Sequence, residues 1–160
     1  MAPIASRRMG TNAGPRPLEQ RHREALDRLE HDKDVWVATA DADGEPCLVP
    51  LAFWWDGEEV WLSTRESNPT GRNLAASGRV RLSFGDTRDV VLVGGTARMM
   101  TADELPAGVG DAFAAKGDWD PRKSGPAYVY YAVRPWWVQA WGTVVEMQDR
   151  DLMRDGVWLF

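Results

Sequence analysis

The chain has a single cysteine, Cys47, only two histidines, His22 and His31, and no apolar run near the ~20 residues a membrane-spanning helix needs. One cysteine excludes an internal disulfide and a cysteine-rich metal site, which fits a reducing cytoplasm. Both histidines fall among charged residues, so they are expected to be solvated and to hold no metal. A net charge of -5 argues against nucleic acid as a partner, because binding a phosphate backbone needs a basic face. No nucleophile elbow, phosphate-binding Walker loop or dinucleotide fingerprint is present, and no residue is assigned as catalytic. Residues 1–17 contain Arg7, Arg8 and Arg16 but no apolar core like that of a signal peptide, and are expected to form a mobile tail.

What the chain does have is tryptophan, nine in 160 residues, and a succession of short apolar segments joined by tight turns. Length and composition fit one domain, over 18–160. Leu18, His22, Ala25, Leu26 and Leu29 recur at helical spacing and predict a surface helix over Leu18–His31. From Val35 the period changes to that of strands. Val35–Ala40 and Pro46–Trp55 flank a hairpin with Asp43-Gly44 at its tip, and Asp56-Gly57 leads to a third strand, Glu59–Thr64. Pro46–Trp55 is apolar on both faces, as in a barrel strand that also meets a partner. Arg79–Phe84 alternates polar and apolar, and Val90–Met99 is a long strand that Gly94-Gly95 should bulge or bend. A helix from Thr101 carrying Leu105, Val109 and Phe113 is expected next, then strands Ala127–Val133 and Pro135–Trp141. Residues 155–160 read as a turn and an apolar tail. The pattern predicts a mainly β (α+β) fold, an antiparallel closed or split barrel of six or seven strands with short peripheral helices.

One stretch, 61–74, passes from strand to helix and gathers polar groups. Ser63 and Thr64 stand where the strand ends, Ser67 and Asn68 are helix-capping residues, and Pro69 suits a first helical position. Arg72 and Asn73 follow on the first turns. A helix start with hydroxyls and arginines is a candidate phosphate site, although the same residues also describe an ordinary capped helix. Cys47, in an apolar strand without a flanking cation, is expected to be an inert packing residue. With so few acids and bases, hard chemistry would fall to a bound cofactor, and a flat aromatic one with a phosphate tail suits the tryptophans and arginines.

The succession Val-Ala-Thr-x-Asp-Ala-Asp-Gly-x-Pro (37–46), Val-Pro-Leu-x-Phe-x-Trp-Asp-Gly (49–57), Leu-Ser-Thr (62–64), Ser-x-Pro-x-x-Arg-Asn-Leu (67–74) and Arg-Val-x-Leu (79–82) resembles the pyridoxamine 5′-phosphate oxidase-like split β-barrel proteins. It is most similar to their flavin/deazaflavin oxidoreductase branch, and residues 133–141 and 155–159 extend the likeness to the C-terminus. The resemblance implies a homodimer, with the deazaflavin coenzyme F420, or alternatively FMN, bound at the subunit interface and acting on a small organic substrate. It places Ser63, Thr64, Ser67, Thr70, Arg72 and Asn73 around the phosphate, and Val49, Pro50 and Leu51 beside the ring. Thr70 stands where many members carry lysine, with Arg65 or Arg79 as candidates to replace that charge. Two further readings stay open: a non-catalytic flavin, deazaflavin or haem-binding protein, and a structural dimer that has lost its ligand.

Overall fold

The computed structural model describes residues 14–160, with three α-helices and eight strands. In order these are α1 (Leu18–His31), β1 (Asp34–Ala40), β2 (Pro46–Trp55), β3 (Val60–Arg65), α2 (Pro69–Ser77), β4 (Arg79–Phe84), β5 (Val90–Met100), α3 (Val109–Gly117), β6 (Tyr128–Trp141), β7 (Asp151–Arg154) and β8 (Val157–Trp158). Every pairing is antiparallel, in the order β3-β2-β1-β4-β5-β6-β7-β8, and β3 also pairs with β6. That last pairing, Val60–Arg65 against Tyr128–Val133, closes six strands into a barrel. The 14-residue β6 pairs with β5 along one edge and serves two neighbours in turn along the other, β3 with its first half and β7 with its second.

Alternation sets the inside and outside of the wall. On β1, Val35, Val37 and Thr39 are buried, and on β4 so are Val80, Leu82 and Phe84. They join Phe53, Leu62, Val93, Tyr131 and Val133 in a core that fills the barrel. Carboxylates organise the first two turns: Asp41 Oδ1 accepts from the amides of Asp43 and Glu45, and Asp56 Oδ1 from those of Glu58 and Glu59. Helix α1 covers one barrel end with Ala25 and Leu29, and α2 covers the other with Leu74. A second cluster, outside the wall, packs Val109 and Phe113 of α3 on Trp61, Tyr130 and Ala132, with Ala52 and Trp54 of β2 at its margin.

The fold matches the expected mainly β barrel, with several local corrections. The two late strands are one, because Pro135, which has no N–H to donate, stands opposite Gly95 at a bulge where the ladder is already interrupted. The helix expected from Thr101 is two pieces: Thr101 caps a single turn, Ala102–Glu104, and α3 starts only after Pro106. The C-terminal segment forms the β7–β8 hairpin. His22 is half-buried, not fully solvated as expected. Its ring meets Trp158 and Phe160 at centroid distances of 4.8 and 4.4 Å, its Nε2 is buried without a hydrogen-bond partner, and burial lowers its pKa. His31 does face solvent, beside Asp27.

Of the expected tail, residues 1–13 lie outside the described part. Arg16 is held in place: its backbone amide and Nε donate to Glu146 Oε1 and its Nη2 to Glu146 Oε2. Gly142 N also donates to Oε2, and the Glu146 side chain is 1 % exposed. Burial alone would raise the pKa of this carboxyl; the bonds from Arg16 and Gly142 outweigh it and hold the group at about 2.

Candidate functional site

The outer face of the sheet carries the site. Strand register sets Leu48, Ala38, Arg81, Gly94 and Trp137 side by side on β2, β1, β4, β5 and β6. Ala38 is small, so the row sinks into a trough on its side of Arg81. Gly94 has a steric reason to be glycine: a Cβ there would collide with the Trp137 indole, which lies across it. The Arg81 guanidinium carbon lies 5.5 Å from the Trp137 ring centroid, within cation–π range. Along the same face come Arg79, opposite Thr96, and Trp136, whose Nε1 donates to Thr96 Oγ1 at 2.9 Å. Helix α2 forms the remaining wall with Arg72, Asn73, Ala76 and Ser77, and the β1–β2 turn closes one side with Ala40–Ala42. The open cleft they outline measures about 1100 Å³.

Position in α2 follows from its ends. Pro69 starts the helix, Asn68 precedes it in an extended conformation, and Gly78 ends it at φ 68°, a left-handed conformation that glycine adopts without strain. Tyr131 Oη donates to Gly71 O from inside the barrel, and Asn73 Nδ2 donates to Thr39 Oγ1. These contacts lock the buried side of the helix and leave Arg72 exposed over the cleft. Arg72, Arg79 and Arg81 form no ion pair among the described residues, whereas Arg16, Arg21, Arg28, Arg98, Arg122 and Arg154 all do. Asp41 is the one carboxylate lining the cleft, and its Oδ1 already accepts two backbone amides. Three unneutralised guanidinium groups therefore make a local basic field in a chain of net charge -5.

The residues singled out in the sequence go to different places. Arg72 and Asn73 meet in the cleft, with Arg79 beside them. Ser63 is buried, its Oγ donating to Val129 O at 2.9 Å, and Thr64 Oγ1 accepts from Asn68 Nδ2. Thr70 is buried with its hydroxyl 3.4 Å from Cys47 Sγ, inside the barrel end. Ser67 is exposed in the turn before α2, outside the cleft lining. Arg65 lies over the Tyr128 ring, also away from it. Val49 and Leu51 turn inward onto the core, while Pro50 faces outward beside Trp36. The cleft runs along the flank of α2 toward its C-terminal end, so its positive character comes from guanidinium groups and not from the first amides of the helix. Arg81, Trp136 and Trp137 belong to this site but were not singled out in the sequence. The Arg79-Val80-Arg81 alternation marked one outward pair, and Gly94-Gly95 marked the bulge.

Residues 21–142 match the family model described as pyridoxamine 5′-phosphate oxidase. The chain belongs to the pyridoxamine 5′-phosphate oxidase family. Three solved structures show the same fold at low identity. An F420 reductase aligns with TM-score 0.57 at 23% identity, over 70% of this chain and 93% of its own. HutZ, a haem storage protein from Vibrio cholerae, aligns with TM-score 0.62 at 21% identity, over 75% and 91%. A putative pyridoxamine 5′-phosphate oxidase from Listeria innocua aligns with TM-score 0.61 at 14% identity, over 79% and 100%. No curated protein sequence matches. These structural neighbours include a reductase and a haem storage protein, and the fold is what they share with this chain. No helix among the described residues is long and apolar enough to cross a membrane.

Proposed function

We propose that this protein is a cytoplasmic oxidoreductase that binds F420, or alternatively FMN, in the cleft between α2 and the outer sheet face. The observation that carries this reading is Arg72, without an ion pair among the described residues, standing over a trough at Ala38 between α2 and the sheet, with Arg79 and Arg81 adding positive charge further along it. A flat group with an anionic tail is the chemistry such a surface fits. Arg72 would hold the phosphate with two parallel hydrogen bonds, and Asn73 would stand beside it, its Nδ2 fixed by Thr39. Ala38 and Ala40, the small β1 residues that line the cleft, would face the ring. The bound cofactor supplies the hydride chemistry. The chain's own part is to bind, orient and shield, since no lining residue is an unengaged acid or base.

The exposed face formed by Trp36, Leu48 and Pro50, with Trp36 48% and Leu48 63% exposed, supports a homodimer across this side of the barrel. A stable dimer of this kind buries roughly 2,000 Å² or more. Light scattering at micromolar concentration tests it, and a persistent monomer would contradict it.

A second reading, haem binding without catalysis, draws on the haem-storage neighbour. The cleft argues against it: among its lining residues there is no histidine, cysteine, methionine or tyrosine to ligate iron, and His22 packs against the C-terminal tail. Titration of the purified protein with F420, FMN and haem separates the readings. Saturable binding of F420 or FMN, with reduction of a substrate by the reduced cofactor, supports the oxidoreductase. Tight haem binding with neither flavin nor deazaflavin bound would overturn it, and binding without turnover would leave a carrier.

A further inference from the structure

In a regular strand, neighbouring side chains point to opposite faces, and Trp136 and Trp137 should be separated by the sheet. Here they are not. The bulge aligns Gly94 with Trp137 and Gly95 with Pro135, leaving Trp136 as the extra residue, and both indoles line the same cleft. Each is fixed from a different direction. Trp137 lies across Gly94 under Arg81, and Trp136 is tied by its Nε1 to Thr96 Oγ1 while staying 52% exposed. Arg79, opposite Thr96, and Arg81 supply two guanidinium groups beside the indoles. An exposed indole, Trp136, beside a half-buried one that Arg81 covers, with Arg79 and Arg81 lacking an acidic partner among the described residues, is costly for a solvated surface. These groups match a ligand that offers a flat π-face and a negative charge together. This end of the cleft lies three strands from β1, roughly 14 Å from Ala38 at ~4.8 Å per strand, which leaves room for a second molecule.

We infer that the Trp136–Trp137 shelf, with Arg79 and Arg81, is the subsite for the second ligand, a planar aromatic carboxylate. The inference rests on the reading of the cleft as a ligand site and names what it takes besides the cofactor. The probe is 2-naphthoate, titrated calorimetrically into the protein and compared with 2-naphthamide, which keeps the plane and loses the charge, and with cyclohexanecarboxylate, which does the reverse. On the unmodified protein, 2-naphthoate should bind at least about tenfold more tightly than either analogue. Arg81→Gln and Trp136→Ala, both at exposed positions, should each weaken 2-naphthoate by about tenfold, and Arg72→Ala, at the α2 wall, should leave it unchanged. Absence of 2-naphthoate binding, equal binding of the three compounds, or unaltered affinity in folded Arg81→Gln and Trp136→Ala proteins would overturn the subsite. The analogue comparison needs no variant, so it can overturn the subsite even if a substitution unfolds the chain, and loss of 2-naphthoate in Arg72→Ala but not in Arg81→Gln or Trp136→Ala would place the probe at α2 and overturn it as well. Parallel titration with F420 and FMN separates the two readings. If cofactor binds and 2-naphthoate does not, the shelf is wrong and the cofactor site stands; if 2-naphthoate binds as expected and neither cofactor does, the reverse holds.

Discussion

Arginine is used in two opposite ways in this molecule. At the α1 end, Arg16 and Arg21 are spent on structure. Arg21 is 3% exposed and donates from Nη1 to the carbonyls of Ala140 and Asp149, and Arg16 meets Glu146, Glu24 and Asp89. Around the cleft, Arg72 on α2 and Arg79 and Arg81 on the sheet have no acidic partner among the described residues and stay exposed. The first set repays its desolvation inside the chain, and removing a partner leaves a buried charge behind. The second set costs the fold little and leaves its hydrogen-bonding capacity for something that is not part of the chain. Substitutions at the two places should therefore separate stability from binding.

The largest effect belongs to the paired set. Glu146 is held at about 2 against an ordinary 4.5, which corresponds to roughly 3 kcal/mol of stability. Because its folded pKa lies below the unfolded value, that stability is fully present above about pH 4.5 and is lost as pH falls towards 2. Glu146→Gln should cost roughly 3 kcal/mol in urea unfolding at pH 7 and leave cofactor affinity intact, with the gap to wild type closing on acidification. A gap that persists at pH 2 would mean that the carboxylate charge is not what the network stabilises.

Next comes the steric partner of the cleft. Gly94→Ala pushes a methyl group into the Trp137 indole and should cost about 1–3 kcal/mol, the range for overpacking, with a changed near-ultraviolet circular dichroism spectrum as the indole is displaced. An unchanged spectrum and melting temperature would show that Trp137 does not rest on Gly94. The smallest stability change is expected at Arg79. As an exposed residue without an ion pair, Arg79→Ala should stay within about 0.5 kcal/mol of wild type in the same urea experiment. A larger loss would place it with the structural arginines and blur the contrast.

Much of the barrel was legible because its signals are local. The Val35–Ala40 and Arg79–Phe84 alternations, the Asp-Gly turns, and the Pro69 and Gly78 ends of α2 all operate within a few residues of chain. What escaped depends on closure. Ser63 looks like a free strand-end hydroxyl until β6 brings the Val129 carbonyl to it, and His22 looks solvated until Trp158 and Phe160 fold back over it. Arg21, in a charged helix, carries no sign of burial until the carbonyls of Ala140 and Asp149 arrive. In the cleft, Arg72 and Asn73 were readable from their place after Pro69. The tryptophan pair was not, because alternation assigns neighbours to opposite faces and only the bulge at Gly94-Gly95 reverses that.

The central claim is that the cleft beside α2 holds an anionic cofactor by its tail, and Arg72 tests it most directly. Equilibrium titrations of wild type, Arg72→Ala and Arg72→Lys with F420 and with FMN, each beside a thermal melt, are the measurement. The account predicts that Arg72→Ala weakens binding by about ten- to a hundredfold, the equivalent of roughly 1.5–3 kcal/mol for hydrogen bonds to a charged group. The melting temperature should be unchanged, and Arg72→Lys should recover only part of the loss, because a point charge cannot reproduce the two-pronged contact. If Arg72→Ala binds both cofactors as tightly as wild type, the anionic tail is not held in this cleft.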